Sequence, residues 1–284
     1  MTSPLLLCTD LDRTLLPNGH MPESPRARAL FRALAAQEDV TLAYVSGRDL
    51  HLIQSAIDEY ELPVPDFAVA DVGSTIYRLN GEAPELVTQW QDAIGGDWNG
   101  FDRRSIDDML DDFTDLQLQE PEKQNTYKLS YYTPPDIDAQ NLRRKIAHRL
   151  GKAGVRASII WSYDQADNEG LLDILPASAN KLASVRFLMA LLGFSSQQTL
   201  FAGDSGNDMD VLVSDTPAVL VANASSDVRE EAVRLAQQNG MAATLHLATG
   251  GFEGMNGAYA AGILEGVNHF YPERIAAPLA EQIT

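Results

Sequence analysis

Short apolar runs alternate with amphipathic segments over the first 71 residues of the chain. We predict strands at Pro4–Thr9, Thr41–Ser46 and Phe67–Asp71, separated by helices at Ser24–Gln37 and Asp49–Tyr60. Ser24 is the predicted N-cap of the first helix, and Pro25 follows at its first helical position. Because strands that alternate with helices usually run parallel, this order predicts an α/β sheet with helices on both faces.

The same alternation resumes near residue 171. The second stretch holds predicted strands and helices in the order Leu171–Leu175, Asn180–Leu192, Thr199–Ala202, a helix from about Asn207, Ala218–Ala222, Asp227–Gln238 and Asn256–Phe270. Because the two stretches share one pattern, we assign residues 1–76 and 171–284 to a single Rossmann-like parallel-sheet core domain of the α/β class.

The segment between these stretches, residues 77–170, has a different composition. All three tryptophans of the chain lie there, with predicted strands at Tyr127–Tyr132 and Ala157–Ser162 and a predicted helix at Asp138–Leu150. A length of 284 residues is enough for roughly two domains. We therefore predict a smaller α+β domain inserted into the core domain.

Acidic residues outnumber basic ones by 40 to 21, which gives a formal net charge of −19. This charge argues against nucleic acid or an anionic membrane as a partner, because those surfaces attract clustered Lys and Arg. Cys8 is the only cysteine, so no disulfide can form within the chain. The first residues carry no basic segment and no long apolar run, so we expect no signal peptide and a soluble cytoplasmic protein.

Two carboxylates, Asp10 and Asp12, directly follow the first predicted strand in the motif Asp-Leu-Asp-Arg-Thr. Open α/β sheets bind ligands at the carboxyl ends of their strands, so both side chains are candidates for the site. One carboxylate can act as a nucleophile while the other acts as acid and base. A plain Asp-rich turn is the alternative interpretation of this motif taken alone.

Two further motifs carry groups that suit a phosphate. Ser46 and Gly47 follow the second strand, where a hydroxyl and backbone N–H groups at a helix start can bind an anion. Lys181 stands at the start of a predicted helix and can neutralise phosphoryl oxygens as a point charge. Taken singly, these motifs are better explained as a helix cap with a tight turn and as a surface lysine.

The motif Gly-Asp-Ser-Gly-Asn-Asp spans residues 203–208, between a predicted strand and a predicted helix. Asp204 and Asp208, with Asn207, supply the oxygen ligands that Mg²⁺ prefers. Together the four motifs predict metal-dependent phosphoryl transfer, in which Asp10 attacks phosphorus and Asp12 moves the proton. Lys181, Ser46 and Mg²⁺ would stabilise the charge on the transferred group.

These motifs resemble those of the haloacid dehalogenase superfamily of phosphohydrolases, in type and in chain order. The insert between the second and third motifs is similar to a C2-type cap. Within the superfamily, nearly the whole chain resembles the sucrose-phosphate phosphatases. The stretches that carry the resemblance are LLLCTDLDRT, LAYVSGR, VGSTIY, QNTYKLSYY, LDILPASANK, FAGDSGND and the ending HLATGG…GAYAAGILEGVNHF.

The resemblance implies a role for each matching residue. Asp10 would be the nucleophile and a metal ligand, and Asp12 the acid and base, with its backbone carbonyl also on the metal. Asp204 would bind Mg²⁺ directly, and Asp208 directly or through a further group. Residues expected at the substrate or its phosphate are Ser46, Gly47, Lys181, Arg48, Asn207 and, from the insert, Gln124, Asn125 and Lys128. Where the superfamily often has glycine, this chain has Arg13, which would place a cation near the mouth of the site.

The expected reaction is hydrolysis of a sugar phosphate monoester through an aspartyl-phosphate, with sucrose 6-phosphate as the first candidate substrate. Glucosylglycerol phosphate and mannosyl-3-phosphoglycerate are alternatives, and a phosphomannomutase activity is a more distant one. A synthase that supplies the sugar phosphate is a possible protein partner. A non-catalytic protein that binds sugar phosphate is the alternative from another class, but such a protein has no need of all four acids.

Overall fold

The computed structural model describes residues 3–164 and 167–275; the end of the predicted core domain, residues 276–284, lies outside them. The strands are β1 (Leu5–Thr9), β2 (Val40–Val45), β3 (Phe67–Ala70), β4 (Thr75–Arg78), β5 (Glu85–Leu86), β6 (Gln117–Leu118), β7 (Leu129–Thr133), β8 (Ala157–Asp164), β9 (Glu169–Pro176), β10 (Thr199–Gly203), β11 (Ala218–Leu220) and β12 (Leu245–Leu247). The α-helices are α1 (Ala27–Ala35), α2 (Leu50–Glu59), α3 (Thr88–Gly95), α4 (Arg103–Asp108), α5 (Ala139–Lys152), α6 (Lys181–Leu192), α7 (Met209–Leu212), α8 (Ser226–Gln238) and α9 (Ala260–Phe270).

The chain divides into two compact units. In its described part, unit 1 holds residues 3–70, 77–85 and 181–275, and unit 2 holds residues 71–76, 86–164 and 167–180. Among the described residues, no helix combines the length and the apolar character that a membrane span requires. Each unit has its own sheet and its own buried apolar cluster.

Unit 1 is built on a mostly parallel sheet with the strand order β12-β11-β10-β1-β2-β3, which β4 and β5 continue at one edge. The five pairings that join β12, β11, β10, β1, β2 and β3 are all parallel. β1 lies at the centre, is buried along its whole length and is apolar from Leu5 to Cys8, as expected for a strand covered on both faces. The predicted Rossmann-like α/β fold is confirmed.

Unit 2 contains an antiparallel sheet with the strand order β6-β7-β9-β8. Helix α5 begins where the N-cap Asp138 accepts a hydrogen bond from the Asn141 N–H, and it buries Leu142, Ile146 and Leu150. The aromatic residues Trp98 and Tyr131 are buried in the apolar cluster of this unit. An α+β unit with an antiparallel sheet fits the predicted cap.

Three details of the sequence prediction are wrong. The predicted strand Leu171–Leu175 belongs to β9 and pairs antiparallel with β7 and β8, instead of opening the second half of the parallel sheet. Ser24 does not cap α1, because its hydroxyl donates to Asn256 Oδ1 at 2.9 Å and the helix begins at Ala27. Helix α9 begins at Ala260, four residues later than predicted, because Tyr259 has a left-handed φ of 54°.

Candidate active site

The acidic motifs of unit 1 follow strands that are neighbours in the sheet. Asp10 and Asp12 come after β1, Ser46 after β2 and Asp204 after β10, and the sheet order places β1 between the other two strands. The Asp10 N–H donates to the Ala202 carbonyl at 2.9 Å, which joins the ends of β1 and β10. The carboxyl ends of parallel strands therefore bring these side chains to one edge.

Lys181, the first residue of α6, is buried between two of the acids. Its Nζ lies 3.0 Å from Asp10 Oδ1 and 2.6 Å from Asp208 Oδ1, and it also donates to Asn207 Oδ1 at 3.3 Å. Burial alone would lower the pKa of Lys181, but the two carboxylates outweigh it and raise the pKa above its ordinary value. Lys181 is therefore a fixed positive charge at the centre of the site.

Asp10, Asp204 and Asp208 are buried, and each offers an oxygen that lies within 4.8 Å of the oxygens of the other two. With Lys181 at its centre, this group carries three negative charges and one positive charge when fully ionised, a net −2. Hard oxygen donors and a net charge of −2 suit a divalent cation. The residues present therefore fit a metal site of the Mg²⁺ type.

The contacts of Asp208 distinguish it from the other two acids. Its Oδ1 accepts from Lys181, and its Oδ2 accepts from the backbone N–H groups of Asp204 and Ser205, both at 3.1 Å. Asp208 closes a capping box with Ser205 at the start of the following helical turn. These contacts favour a role in which Asp208 holds Lys181 and the loop, while Asp10 and Asp204 face the metal.

Burial is the largest influence on the pKa values of Asp10 and Asp204. It raises the pKa of Asp10 to about 7, against the opposing effect of Lys181 and with a further rise from the Asp208 carboxylate. Burial likewise raises the pKa of Asp204, which the Arg13 guanidinium opposes. A cation bound between these carboxylates would favour their ionised forms.

Asp12 differs from Asp10 in exposure and in partners. Its side chain is 41% exposed, and the Arg48 guanidinium donates to both of its oxygens, from Nε at 2.8 Å and from Nη2 at 2.6 Å. Asn18 Nδ2 donates to Asp12 Oδ1 at 2.7 Å. Partial burial would raise the pKa of Asp12, but Arg48 and Asn18 outweigh it and hold this pKa below its usual range.

The predicted phosphate-binding residues Ser46 and Gly47 follow β2 and lie beside the pair formed by Asp12 and Arg48. Ser46 is buried, and its hydroxyl accepts a hydrogen bond from the Arg48 N–H at 3.2 Å. Gly47 is exposed between them. Asp49 caps α2 by accepting from the Leu52 N–H at 2.8 Å, so the segment from Ser46 leads directly into a helix N-terminus.

The three site residues predicted in the insert lie in unit 2 and contact other residues of that unit. The Gln124 amide contacts the backbone of Gln119 and Ser130, donating at 3.1 and 2.9 Å and accepting at 2.8 Å. Asn125 donates to the hydroxyls of Ser74 and Thr75, at 3.2 and 3.0 Å, and accepts from the Tyr127 N–H at 2.9 Å.

Lys128 is the third of these residues, and its Nζ lies 3.5 Å from Asp71 Oδ1. An ammonium group has three donors, whereas the Gln124 amide is used by the backbone of Gln119 and Ser130 and the Asn125 amide by Ser74, Thr75 and the Tyr127 N–H. Among the three, the contacts favour Lys128 for binding a ligand.

Sequence reasoning missed three residues that support the acids. Asn18 donates to Asp12 and accepts from the Arg13 N–H at 2.8 Å. The Asn223 amide donates to the Arg13 carbonyl at 2.6 Å. The Thr14 hydroxyl lies 3.4 Å from Asp204 Oδ1. Thr14 belongs to the first motif, which was its signal in the sequence, whereas Asn18 and Asn223 lie outside the motifs and had none.

Arg13 was expected near the mouth of the site and outside its chemistry. The structure places its Nε 3.3 Å from Asp204 Oδ2, so it contacts a candidate metal ligand. Arg48, predicted to bind substrate, contacts Asp12 instead of standing free.

The mostly parallel sheet with acids and a lysine at its carboxyl edge, and the antiparallel insert, fit a hydrolase of the haloacid dehalogenase superfamily with a C2-type cap. A sequence model of the sucrose-6F-phosphate phosphohydrolase family matches residues 3–271. The chain belongs to that family.

Individual relatives agree with this assignment. The chain is 53% identical to a Nitrosococcus oceani protein described only as a HAD-like hydrolase, over 96% of this chain and 73% of that protein. It is 30% identical to the mannosylfructose-phosphate phosphatase of Agrobacterium fabrum, over 93% of this chain and 96% of that protein. It spans 59% or less of the length of the plant sucrose-phosphatases that it also matches.

A solved structure covers nearly the same length. The sucrose-phosphatase of Synechocystis sp. PCC6803, solved in complex with sucrose and phosphate, has a TM-score of 0.71 and 25% identity. The match covers 95% of this chain and 98% of that one.

Proposed function

We propose that this protein is a Mg²⁺-dependent phosphatase of a phosphorylated disaccharide, with sucrose 6F-phosphate as its first candidate substrate. The observation that carries the proposal is the buried contact of Lys181 with both Asp10 and Asp208, beside Asp204, at the carboxyl edge of the parallel sheet. Membership of the sucrose-6F-phosphate phosphohydrolase family supports the substrate class.

In the first half of the reaction, an Asp10 oxygen attacks phosphorus and the bond from phosphorus to the sugar oxygen breaks. Asp12 donates its proton to the leaving sugar oxygen, since an alkoxide is a poor leaving group. Lys181 faces Asp10 and neutralises charge on the transferred phosphoryl oxygens. The products of this half are the free sugar and a phosphorylated Asp10.

In the second half, Asp12 takes a proton from water, whose oxygen attacks the phosphorus of the aspartyl-phosphate. The bond between phosphorus and Asp10 breaks, which releases inorganic phosphate and returns Asp10 to its carboxylate. Arg48 and Asn18 favour the ionised form of Asp12, which is the form this half requires. For the first half, Asp12 must be protonated, so the contact with Arg48 must weaken when substrate binds.

Asp10 and Asp204 would hold the Mg²⁺ ion through their side chains, and Asp12 through its backbone carbonyl. When bound, the ion supplies positive charge that draws electron density from the phosphoryl group and keeps Asp10 ionised. Without the ion, the cluster of carboxylates repels a phosphate dianion.

The substrate choice rests on the family and on its relatives. The Synechocystis enzyme binds sucrose and phosphate, and the Agrobacterium relative is named for mannosylfructose phosphate. Mannosylfructose phosphate is therefore the second candidate, ahead of glucosylglycerol phosphate and mannosyl-3-phosphoglycerate. We propose that unit 2 acts as the cap that selects among them, with Lys128 as its best-placed cation.

The test is phosphate release from these four compounds, from simple hexose phosphates and from p-nitrophenyl phosphate, in Mg²⁺ or in EDTA. We expect Mg²⁺-dependent turnover with a clear preference for sucrose 6F-phosphate. Asp10→Asn is expected to abolish it, whereas Asp210→Asn, at an exposed acid of α7, leaves it unchanged. A preference for another compound would change the substrate assignment and leave the proposed mechanism in place. If no compound is hydrolysed in Mg²⁺, the proposal fails.

A further inference from the structure

Arg13 has a backbone conformation that favours glycine. Its φ is 57°, in the left-handed region that side chains disfavour. Two amides hold the residue there. Asn18 Oδ1 accepts from the Arg13 N–H at 2.8 Å, and Asn223 Nδ2 donates to its carbonyl at 2.6 Å. Asn223 is in turn fixed by the Tyr259 N–H at 3.0 Å.

This conformation places the Arg13 side chain on Asp204. Its Nε lies 3.3 Å from Asp204 Oδ2, while the Thr14 hydroxyl lies 3.4 Å from Oδ1. Asp204 is buried at 5% exposure, whereas the side chain of Arg13 is 57% exposed. The buried acid therefore has a largely exposed counter-ion on one of its two oxygens.

The Arg13 side chain also borders a pocket of about 520 Å³. The lining of this pocket combines Asn18, Ser205, Asn223, Ser225 and Asp204 with Gly19, His20, Met21 and Val228. The half-exposed guanidinium that pairs with Asp204 therefore has open space beside it.

We propose that Arg13 is a positioning residue that competes with the divalent cation for Asp204 and so weakens metal binding. The inference rests on the proposed function, since it takes Asp204 as a metal ligand. When fully ionised, the group formed by Asp10, Asp204, Asp208 and Lys181 carries a net charge of −2. Arg13 reduces this net charge to −1. Removing Arg13 increases the attraction for a cation and leaves Asp204 Oδ2 free to bind it.

The experiment is calorimetric titration of MgCl₂ into the metal-free protein without substrate. Arg13→Ala removes the guanidinium and keeps a side chain with the same backbone preference. We expect it to bind Mg²⁺ about two- to fivefold more tightly than the unchanged protein, the range expected for an exposed ion pair. Arg13→Lys keeps the charge and should bind close to the original affinity.

Arg186→Ala is the matched control. Arg186 forms an exposed ion pair with Asp215 at 3.1 Å, with side-chain exposures of 55% and 53%. The substitution changes the net charge by the same amount, and the affinity for Mg²⁺ should not change. Should Arg13→Ala fail to fold, Arg13→Asn replaces it, because asparagine tolerates the left-handed conformation.

Equal or weaker Mg²⁺ binding by Arg13→Ala overturns this inference while leaving the proposed function intact. Tighter binding by Arg186→Ala as well would assign the effect to overall charge and overturn it too. If neither the unchanged protein nor any variant binds Mg²⁺, both this inference and the metal dependence of the proposed function fail.

Discussion

Arg48 contacts both carboxylate oxygens of Asp12, with Nε 2.8 Å from Oδ2 and Nη2 2.6 Å from Oδ1. This is the bidentate geometry in which a planar guanidinium fixes both the charge and the orientation of a carboxylate. Arg48, which was expected to bind substrate, thus orients Asp12, the proposed acid and base. In the proposed cycle, Arg48 favours the base form that the second half-reaction requires.

Arg48→Ala is expected to shift the pH dependence of kcat/KM for a sugar phosphate. Loss of Arg48 removes the hydrogen bonds and the positive charge that lower the pKa of Asp12, so this pKa rises. Since the first half-reaction needs protonated Asp12, activity should persist to higher pH on the alkaline side. The maximum should fall about tenfold or more, because Asp12 loses its orientation. Steady-state rates across pH measure both effects.

Arg48→Lys is the comparison for this prediction. A lysine keeps a positive charge near Asp12 but cannot form the bidentate contact. The alkaline limb should stay near its original position while the maximum falls. An unchanged alkaline limb in Arg48→Ala would show that Arg48 does not control Asp12.

Lys181→Met should destabilise the protein strongly and abolish turnover. Lys181 is 3% exposed and is the buried counter-ion of Asp10 and Asp208, which would repel each other without it. Removing one partner of a buried ion pair costs about 3–5 kcal/mol of unfolding free energy. Urea denaturation measures the loss, with Lys152→Met on the exposed part of α5 as a control that should change little. A variant of unchanged stability would contradict the buried ion-pair network.

The metal-free protein should lose stability as the pH rises. Burial raises the pKa of Asp10 to about 7 in the folded state, above its ordinary value of 3.8. Between these values the folded state binds more protons than the unfolded state, so the free energy of unfolding falls with pH. Asp10→Asn removes the ionisable group, so this variant does not lose stability with pH in this way.

The difference in Tm between Asp10→Asn and the original protein, in EDTA, should therefore grow by roughly 5 °C from pH 5 to pH 8. Scanning calorimetry or a dye-based thermal shift gives both values. A difference that stays flat over this range would argue against a buried Asp10 of raised pKa.

Gly203→Ala should disrupt the acidic loop, whereas Gly206→Ala in the same motif should not. A Cβ at Gly203 would lie 2.6 Å from Asp208 Cγ and 2.7 Å from its Oδ2, while a Cβ at Gly206 meets nothing within 4 Å. Displacing Asp208 would disturb its contact with Lys181, so we expect at least a tenfold loss of kcat in the Gly203 variant. Equal activity of the two variants would show that the loop accommodates the methyl group.

The placement of the acids could be predicted because it depends on topology. Asp10, Ser46 and Asp204 follow apolar runs that become neighbouring parallel strands, and parallel strands present their carboxyl ends at one edge. The pairing of Arg48 with Asp12 could not be predicted. The two residues are 36 positions apart, and the direction of each side chain depends on loops whose conformation no local pattern determines.

The errors in the fold have a similar origin. Leu171–Leu175 is an apolar run whose sequence does not distinguish a parallel strand from the antiparallel β9. Ser24 has the sequence context of an N-cap, but a hydrogen bond to Asn256, 232 positions away, uses its hydroxyl. Long-range contacts override local preference at both places.

Every charged group that the proposed chemistry uses, from Asp10 to Asp208, belongs to unit 1, while the long insert of unit 2 has its own sheet and apolar cluster. The segments of unit 2 lie between β3 and α6, on either side of residues 77–85, which belong to unit 1. None of these segments contains β10, β1 or β2, so their replacement would leave the register of those three strands intact. If unit 2 selects the substrate, as proposed, exchange of the insert would change the preference without rebuilding the catalytic machinery. The same division makes the chain a natural scaffold for chimeras, in which one core is combined with inserts from different relatives.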